Sequence, residues 1–465
     1  MKNVRKIDLF FMLSIVLIMC SVGACKKDDD DMDDDDMMND TMVVDTDTMD
    51  MDTMTTDTME IDTMMGNPNA TVWVFSEDNY TQDDLQTALT TMDDEDTIRF
   101  EAGTYEVTTQ ISSLDKSNVT IMGAGIDETI LDFTNQIEVA GTGAEGLKVT
   151  GGENIIIANL TIQNTIGDAL KAKDCSHILF YNVGTVWTGE ASELNGAYGL
   201  YPVNCQHVMI DGCTAIGASD AGIYVGQTTY VIVRNSIAEN NVAGIEIENT
   251  KYADVYGNTA INNTGGILIF DLPGLSMYGE QCRIFNNTIV ENNYRNFAPE
   301  GNIVADVPSG TGIMIMASKD VEVFDNEITN NNVMGLGFVD YEVLTYFSDI
   351  TVDDPNYITN PRGIYVHSNT FARTNECPEE QNAIGNVLTN LFDNCEMPDM
   401  IYDGTTAQAD LGDGEKICID NNGEASIANL FLQDFPFNTP VMNPEEFFCI
   451  GAALPEVTVE VPELL

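Results

Sequence analysis

Three short stretches decide the fold: Gly222-Ile223-Tyr224-Val225, Gly244-Ile245-Glu246-Ile247 and Gly266-Ile267-Leu268-Ile269. They repeat every 22 residues, with glycine first and β-branched apolar residues in the second and fourth places. Related stretches begin at Gly199 and Gly312. One such stretch is too short to bury its apolar side chains, but copies stacked at about 4.8 Å bury a continuous apolar column. The repeat therefore predicts a solenoid in which every coil contributes one short parallel strand.

A polar or glycine turn residue recurs with the same base period, and insertions lengthen some of the intervals. These turn positions are Asn159, Asn182, Gly212, Asn235, Gly257, Asn287 and Asn326. Asparagines at one fixed turn predict a hydrogen-bonded ladder along the stack. The abundance of Ile and Val favours β coils over leucine-rich repeats, which need Leu at fixed offsets. We therefore predict an all-β fold, a parallel β-helix over residues 67–375, and the crossover preference of parallel strands makes it right-handed.

Both ends of the predicted stack need a cover, because an open β-edge invites aggregation. Before the first coil, Thr81 followed by Asp84 predicts the N-cap of a short helix. Residues 376–465 break the period, and we expect them to form a capping extension on the last coil.

Residues 1–24 predict a lipoprotein signal peptide. A basic start precedes the apolar run 9–20, which is shorter than a membrane span. Val22-Gly23-Ala24-Cys25 resembles a bacterial lipobox, which implies acylation of Cys25 at the mature N-terminus; an ordinary secretory peptide is the alternative. Residues 26–31 resemble the basic-acidic signal that sends some gram-negative lipoproteins to the cell surface. This resemblance implies an outer-membrane lipoprotein that is exposed at the cell surface.

Residues 25–66 consist almost entirely of Asp, Met and Thr and predict a disordered acidic tether. They have no hydrophobic period, and their like charges repel one another. The triplet Asp-Thr-Met occurs five times and resembles an O-glycosylation acceptor, with low-complexity drift as the alternative. Calcium is a candidate cofactor because carboxylates are its ligands, although the run contains no ordered coordination loop.

The chain carries a formal net charge of -58. Residues 1–66 hold 5 of its 18 basic and 17 of its 76 acidic residues, which leaves 13 basic and 59 acidic residues, a net charge of -46, for the folded part. So acidic a surface excludes nucleic acid as a partner, because phosphate binding needs a basic face.

The run 195–336 resembles a family of exported parallel β-helix repeat proteins of unknown function. The stretches that carry the likeness are 219–226, 242–250, 264–274 and 297–302. Two earlier stretches, 97–105 and 118–125, resemble the first coil of pectin-lyase-like proteins. The resemblance implies the fold and export, and it is silent on chemistry.

A more distant likeness is to mannuronan epimerases and related lyases, whose coil carries Tyr-Gly-Phe-Asp-Pro-His. The matching stretch here is Tyr198-Gly199-Leu200-Tyr201-Pro202-Val203. Tyr201 and Val203 stand where that family has its Asp and His, the positions that carry its acid-base chemistry. The resemblance therefore implies that the usual catalytic set of those enzymes is incomplete in this chain.

Alternation of side chains along a strand places one outer row on the repeated sheet. This row and its flanks comprise Lys148, Lys171, Lys173, Tyr201, Asp220, Tyr224, Glu246, Glu248 and, on a neighbouring loop, Trp187. Long loops on both sides of the sheet predict a groove in which the row is an exposed strip. Rings that stack on sugars, beside charges that hydrogen-bond hydroxyls, predict carbohydrate binding. A solvated face with compensating charges, under loops that only shield sheet edges, is the alternative.

The cysteines predict disulfides, because the chain is exported. Once the signal peptide is removed and Cys25 is lipidated, eight cysteines are left. The predicted pairs are Cys175–Cys205, Cys377–Cys395 and Cys418–Cys449. The first pair occupies one position in adjacent coils, and the other two follow from proximity in the sequence. A ladder of buried thiols is the alternative for the first pair.

The sequence thus favours a surface-tethered lipoprotein that binds a polysaccharide or another glycan without catalysis. The first alternative is a polysaccharide lyase or epimerase in which Lys171, Tyr201 and Tyr224 are catalytic. The second is a structural or adhesive surface protein, or a subunit of a complex with a second exported protein. The expected partners are a glycan and, through the N-terminal lipid, the membrane; no metal site is predicted in the folded part.

Overall fold

The computed structural model describes residues 70–139, 143–346, 352–374, 376–377, 380–392, 395–432 and 439–464. The predicted signal peptide, the lipidation site Cys25 and the acidic tether lie outside the described residues.

The described residues form a stack of coils, and the coils between its two ends pass through three sheets, PB1, PB2 and PB3, in the same order. PB1 contains β4 (Ile111–Leu114), β7 (Leu147–Thr150), β9 (Leu170–Lys173), β11 (Tyr198–Val203), β14 (Ala221–Gly226), β17 (Ala243–Glu248), β20 (Gly265–Phe270), β23 (Thr311–Met316), β26 (Met334–Val339), β29 (Met400–Tyr402), β31 (Ile427–Asn429) and β32 (Val441–Met442). PB2 contains β1 (Val72–Phe75), β2 (Thr97–Phe100), β5 (Val119–Met122), β8 (Glu153–Gln163), β10 (Ser176–Val186), β12 (Gln206–Asp211), β15 (Thr229–Arg234), β18 (Lys251–Tyr256), β21 (Glu280–Phe285), β24 (Lys319–Phe324), β27 (Arg362–His367) and β30 (Ile417–Asp420). PB3 contains β3 (Gly103–Glu106), β6 (Thr129–Asp132), β13 (Thr214–Ile216), β16 (Ile237–Glu239), β19 (Thr259–Ile261), β22 (Thr288–Val290), β25 (Glu327–Thr329) and β28 (Thr370–Ala372), and the second halves of β8 and β10. Adjacent strands pair in parallel, except that β32 is antiparallel to β31.

The apolar core fills the interior of the stack, as the repeat predicts. On PB1, Ile223, Ile245 and Ile267 pair with one another across β14, β17 and β20, and all three are fully buried. Burial of one such side chain contributes about 1.5–3 kcal/mol. The second and fourth places of each repeat therefore specify the inward face of PB1.

Two asparagine ladders follow the turns on either side of PB3. The first contains Asn258, Asn287, Asn326, Asn369 and Asn422. The second contains Asn241, Asn263, Asn292 and Asn331. In each ladder the side-chain oxygen accepts from the backbone N–H and the side-chain amide of the preceding coil, as Asn287 does from Asn258 at 3.0 Å. Each buried amide is thus satisfied by its neighbour in the stack.

The predicted ladder positions Asn287 and Asn326 are correct. The other predicted positions lie one residue before the observed ladder position. Asn235 and Gly257 have φ values of 52° and 66° and form the left-handed turn just before the ladder position. Asn159 and Asn182 share that turn conformation but still hydrogen-bond to each other, at 2.8 Å. Insertions of uneven length hide this shift of register in the sequence.

Helix α1 (Gln82–Thr91) covers the first coils and confirms the predicted cap. Thr81 is its N-cap, and the Thr81 hydroxyl accepts a hydrogen bond from the backbone N–H of Asp84 at 3.1 Å. Leu85, Ala88 and Leu89 are buried against the stack. In the part of the chain that the structure describes, no helix has the length and apolar character to cross a membrane.

The stack continues past residue 375, where the sequence predicts its end. Strand β29 pairs with β26, β30 with β27 and β31 with β29. Between β28 and β29 lies helix α2 (Ala383–Leu391), whose Leu388 packs on the outside of PB1. This insertion interrupts the period, which is why the last coil is hard to recognise. The final residues, 450–464, do not cap the stack but run back along the outer face of PB2.

Two predicted disulfides are present, Cys377–Cys395 and Cys418–Cys449, whereas the predicted bridge Cys175–Cys205 is wrong. Cys175 and Cys205 are buried free thiols. Each sulfur lies near the carbonyl oxygen two residues earlier, at 3.1 and 3.3 Å. In later coils the hydroxyls of Thr228, Thr250 and Ser318 hydrogen-bond to the carbonyl at the same offset. The position therefore selects a small hydrogen-bonding side chain, and cysteine serves there as serine or threonine does.

Candidate functional site

The predicted row lies on the outer face of PB1 in the predicted register. Lys148 pairs with Lys171, Lys171 with Tyr201, and Tyr224 with Glu246. The pairing of β11 with β14 brings Tyr201 beside Tyr224, with ring centroids 4.9 Å apart. The row is therefore continuous across five coils.

The row is not one exposed strip, because loops cover it from Tyr224 onward. Tyr224 is 4% exposed and Glu246 is 2% exposed, which corrects the expectation that both face solvent. Leu268 and Met314 continue the row on β20 and β23, and they belong to a second apolar cluster that also contains Phe297 and other loop residues. The predicted groove is closed here, since an outer row that turns apolar after Glu246 would otherwise leave Leu268 and Met314 in water.

Hydrogen bonds hold these loops in place from both sides. Arg295 Nη2 donates to the carbonyl oxygen of Ala191 at 2.8 Å, which joins the insertion before β23 to the loop before β11. On the opposite side, the Tyr357 hydroxyl donates to the carbonyl oxygen of Asp271 at 2.6 Å. In its covered part, the outer face of PB1 is therefore buried under loops that are fixed by hydrogen bonds.

Three tyrosines meet where the covered and open parts of the row join. The Tyr198 ring centroid lies 4.6 Å from that of Tyr201 and 4.5 Å from that of Tyr224. The Tyr224 hydroxyl donates to Glu248 Oε1 at 2.6 Å. Burial, reinforced by nearby carboxylates, raises the pKa of all three phenols above the usual value. The phenols stay protonated at neutral pH, so they donate hydrogen bonds and do not act as bases.

Three carboxylates lie beneath the tyrosines, at Asp220, Glu246 and Glu248, and each is less than a tenth exposed. Burial raises the pKa of all three. For Asp220 the pKa rises to about 7, with the charge of Glu248 as the second cause. Asn302 Nδ2 donates to Asp220 Oδ2 at 3.3 Å, whereas Glu246 Oε2 has no hydrogen-bond partner among the described residues. The cluster therefore retains protons at neutral pH.

The row is partly exposed on the first coils, and we call this part the open end: Glu145, Lys148, Asp168, Lys171 and Tyr201. Lys148 Nζ is 3.2 Å from Glu145 Oε1, and Lys171 Nζ is 3.2 Å from Asp168 Oδ2 and 3.6 Å from Glu145 Oε1. Lys171 Nζ also lies 4.4 Å from the centre of the Tyr201 ring. The Lys148 side chain is 30% exposed and that of Lys171 is 19% exposed.

Each lysine of the open end faces carboxyl groups, so the open end is not the basic patch that its lysines suggest. Burial would raise the pKa of Glu145, but hydrogen bonds from its own backbone and from Lys148, together with the charges of Lys148 and Lys171, hold that pKa below its usual value. Glu145 is thus a carboxylate at neutral pH. Asp168 differs from Glu145, because burial raises its pKa above the usual value although the charge of Lys171 lowers it. The open end presents ammonium donors and carboxyl acceptors side by side.

Two predicted site residues lie away from this arrangement. Trp187 is 6% exposed, belongs to the interior core, and donates from Nε1 to the carbonyl oxygen of Thr165 at 2.8 Å. It is a structural residue and cannot stack on a sugar. Lys173 is exposed at the next turn, with Asp174 Oδ2 3.9 Å from its Nζ. Within the described ranges no group of three or more His, Cys, Asp or Glu side chains is arranged to hold a metal ion.

The sequence misses Glu145, Asp168 and Tyr198, although a signal for them exists. Each stands two residues before an inward leucine of PB1, at the same position in successive coils. Reading that position along the stack would have found them. Asn302 lies on an insertion without a period, so no repeat marks it.

Residues 145–295 match the family described as the right-handed β-helix region, which confirms the predicted hand and fold. No curated protein matches the chain. Similar solved structures include a pectate lyase, with 12% identity, 71% of this chain and 74% of that chain covered, and a TM-score of 0.42. The Azotobacter vinelandii mannuronan C-5 epimerase A-module has 14% identity, 71% and 86% coverage, and a TM-score of 0.39. An alginate lyase from Paenibacillus has 15% identity, 76% and 96% coverage, and a TM-score of 0.42.

Proposed function

We propose that this chain is a surface-tethered lipoprotein that binds a neutral polysaccharide at the open end of PB1. The observation that carries the proposal is the partly exposed array of donors and acceptors on β7, β9 and β11 and at the turns before β7 and β9. Lys148 pairs with Glu145, Lys171 pairs with Asp168, and Tyr201 closes the array. Lys148, Lys171 and Tyr201 stand on paired strands of a stacked sheet, and ion pairs hold Glu145 and Asp168 beside them, so a bound chain meets groups already held in position.

A neutral glycan suits this array better than an anionic one. Each ammonium group already faces a carboxylate, and the folded part is strongly acidic elsewhere, so an anionic polymer gains no net attraction. Partly exposed ion pairs are worth only about 0–1 kcal/mol, so sugar hydroxyls can compete for both partners. The Tyr201 ring supplies an apolar edge for the sugar.

The protonation states of the site residues favour binding without catalysis. The raised pKa values keep the phenols of Tyr198, Tyr201 and Tyr224 from serving as bases, and Lys171 is held in ion pairs. The carboxylates of the covered cluster lie below the loops, out of reach of a sugar on the surface.

A lyase or epimerase is the second candidate, and one observation favours it. Asp220 has a pKa of about 7 and hydrogen-bonds with Tyr198, so it gains and loses a proton near neutral pH, as an acid-base catalyst must. Catalysis would require the loop that carries Asn302 to open. An unsaturated or epimerised product from a bound glycan would establish this alternative.

A glycan array with the mature chain, made soluble by Cys25→Ser, tests the proposal. We expect neutral polysaccharides to bind, with and without calcium. Lys171→Met should weaken binding by about tenfold or more, because it removes the donor at the centre of the array. The matched control is Lys251→Met on PB2, where Lys251 is 32% exposed and pairs with Glu280 at 2.9 Å. Equal losses for both variants, or no binding by the unmodified sequence, would remove the open end as the site.

The anchor is a separate part of the proposal and rests on the lipobox-like residues before Cys25. Mass spectrometry of the membrane-extracted protein should find diacylglycerol on Cys25 and no residue before it. A soluble product cleaved at another position would contradict the anchor without affecting the glycan site.

A further inference from the structure

The last described residues, 450–464, form an extended segment on the outer face of PB2. Three of its backbone N–H groups donate to side chains of that sheet. Leu454 donates to Glu322 Oε2 at 2.9 Å, and Val457 to Asp254 Oδ2 at 3.2 Å. Glu460 donates to His207 Nδ1 at 3.4 Å. The segment contributes no strand, so it does not extend the sheet.

The donors and acceptors have matching periods. The donors stand three residues apart, and the acceptors lie on β24, β18 and β12, every second strand of PB2. Two strand spacings of about 4.8 Å make about 9.6 Å. Three residues of a polyproline II helix, one full turn, advance by about 9.3 Å. A chain in that conformation therefore presents one N–H per turn to one acceptor per two coils.

The two acidic acceptors are held ready for the segment by basic side chains on the sheet. Asp254 is 2% exposed, and Arg283 Nε donates to its Oδ1 at 2.7 Å. Glu322 is 3% exposed, and its Oε1 lies 3.0 Å from His367 Nε2, which leaves Oε2 for Leu454. Each buried carboxylate thus has a fixed orientation with an oxygen directed at the segment, as a built binding site requires.

Apolar contacts continue the groove beyond the acceptors. Val457 is 8% exposed, and Val461 and Leu464 pack against an apolar cluster of PB2. That cluster contains Ile156, Ala158 and Leu179, with Met122 and Met209 beside it. Pro455 falls between the first two donors and Pro462 after the last one, where the missing N–H costs nothing and the fixed φ favours polyproline II.

We propose that the outer face of PB2 is a docking groove for a polyproline II peptide. The groove binds one backbone N–H of the peptide in every three residues. Residues 450–464 are its resident occupant. The occupant in trans is the same segment of a second copy of this chain, which carries N–H groups and apolar residues at that spacing and proline outside the donor positions. The groove lies on a different sheet from the open end, so this inference is independent of glycan binding.

A pair of proline substitutions in the full mature chain tests the groove. Val457→Pro removes the central donor while keeping polyproline II geometry. Thr458→Pro is the matched control, because Thr458 is exposed and none of the described hydrogen bonds uses its N–H. Hydrogen exchange at the amides of Leu454 and Glu460 should accelerate by about tenfold or more in Val457→Pro and by less than about twofold in Thr458→Pro. Equal exchange rates in the two variants would overturn the proposal that the sheet recognises the segment through these backbone N–H groups.

Capture of a labelled peptide of residues 450–464 then tests docking in trans. The Val457→Pro chain, with its groove vacated, should bind this peptide more tightly than a scrambled peptide, whereas the Thr458→Pro chain should not. Released exchange without peptide capture would overturn the groove as a docking site. Should Val457→Pro unfold, both measurements are repeated with Glu322→Ala, which removes the acceptor of the Leu454 N–H.

Discussion

Replacing Glu246 by Gln should stabilise the protein at neutral pH and leave its stability nearly unchanged in acid. Glu246 is 2% exposed, its Oε2 lacks a partner among the described residues, and Asp220 and Glu248 lie near it. Burial and these neighbours raise its pKa, so the folded state keeps a proton that the unfolded chain releases. Stability from such a group is fully present below the unfolded pKa and is lost as pH rises through the folded pKa.

The size of the stabilisation can be worked out from Asp220, the member of the cluster whose pKa has a stated value. Asp220 has a folded pKa of about 7. Against about 3.9 in the unfolded chain, at 1.36 kcal/mol per pH unit, retaining its proton costs up to about 4 kcal/mol near pH 7. Glu246 is buried in the same cluster and keeps its proton at a comparable cost, whereas glutamine binds no proton. We therefore expect Glu246→Gln to gain about 1–3 kcal/mol at about pH 7.5 and less than about 0.5 kcal/mol at about pH 4.5.

Guanidinium unfolding followed by circular dichroism at both pH values measures the gain, with the exposed Glu153→Gln as the control. A loss of stability at about pH 7.5, or the same change at both pH values, would refute the argument, because it would mean that Glu246 is ionised and compensated. Stabilisation of the unmodified protein by calcium that Glu246→Gln abolishes would contradict it in the same way.

Three further predictions concern packing and bonding. Tyr224→Ala should destabilise by about 3–5 kcal/mol in the same unfolding assay, since the ring is buried, and a loss below about 1 kcal/mol would mean that the covering loops are open in solution. Asn287→Ala removes one rung of a ladder and should cost about 2–4 kcal/mol; an unchanged midpoint would count against the ladder as a source of stability. Cys175 and Cys205 should be alkylated without reductant once the chain is unfolded, and recovery of a peptide that links them would restore the bridge that the structure lacks.

The fold could be predicted because the repeats are visible in the sequence. The places of Ile223, Ile245 and Ile267 fix the inward face, and the alternation of side chains then places Lys148, Lys171 and Tyr201 outside in the correct order. The helical cap at Thr81 is also predictable, because one hydroxyl and the backbone N–H of Asp84 determine it locally.

Contacts between insertions and the stack are not periodic, and they account for the errors. Tyr224 and Glu246 have the right register but are buried, because Phe297 and its neighbours fold over them from a segment without a repeat. The segment 450–464 was expected to cap the stack, and its true place on PB2 depends on side chains such as Asp254 that lie some two hundred residues away in the sequence. Cys175 and Cys205 occupy one position in adjacent coils, and only the structure shows that they are free thiols beside carbonyl groups.

Hydrogen exchange with a bound glycan tests most directly whether the open end is the binding site. With the best ligand from the array, the amides of β7, β9 and β11 should be protected, whereas those of β17 and β20, under the loops, should exchange as in the free protein. Protection should be lost in Lys171→Met and kept in Lys251→Met. Protection centred on PB2, or on β17 and β20, would contradict the assignment of polysaccharide binding to Glu145, Lys148, Asp168, Lys171 and Tyr201.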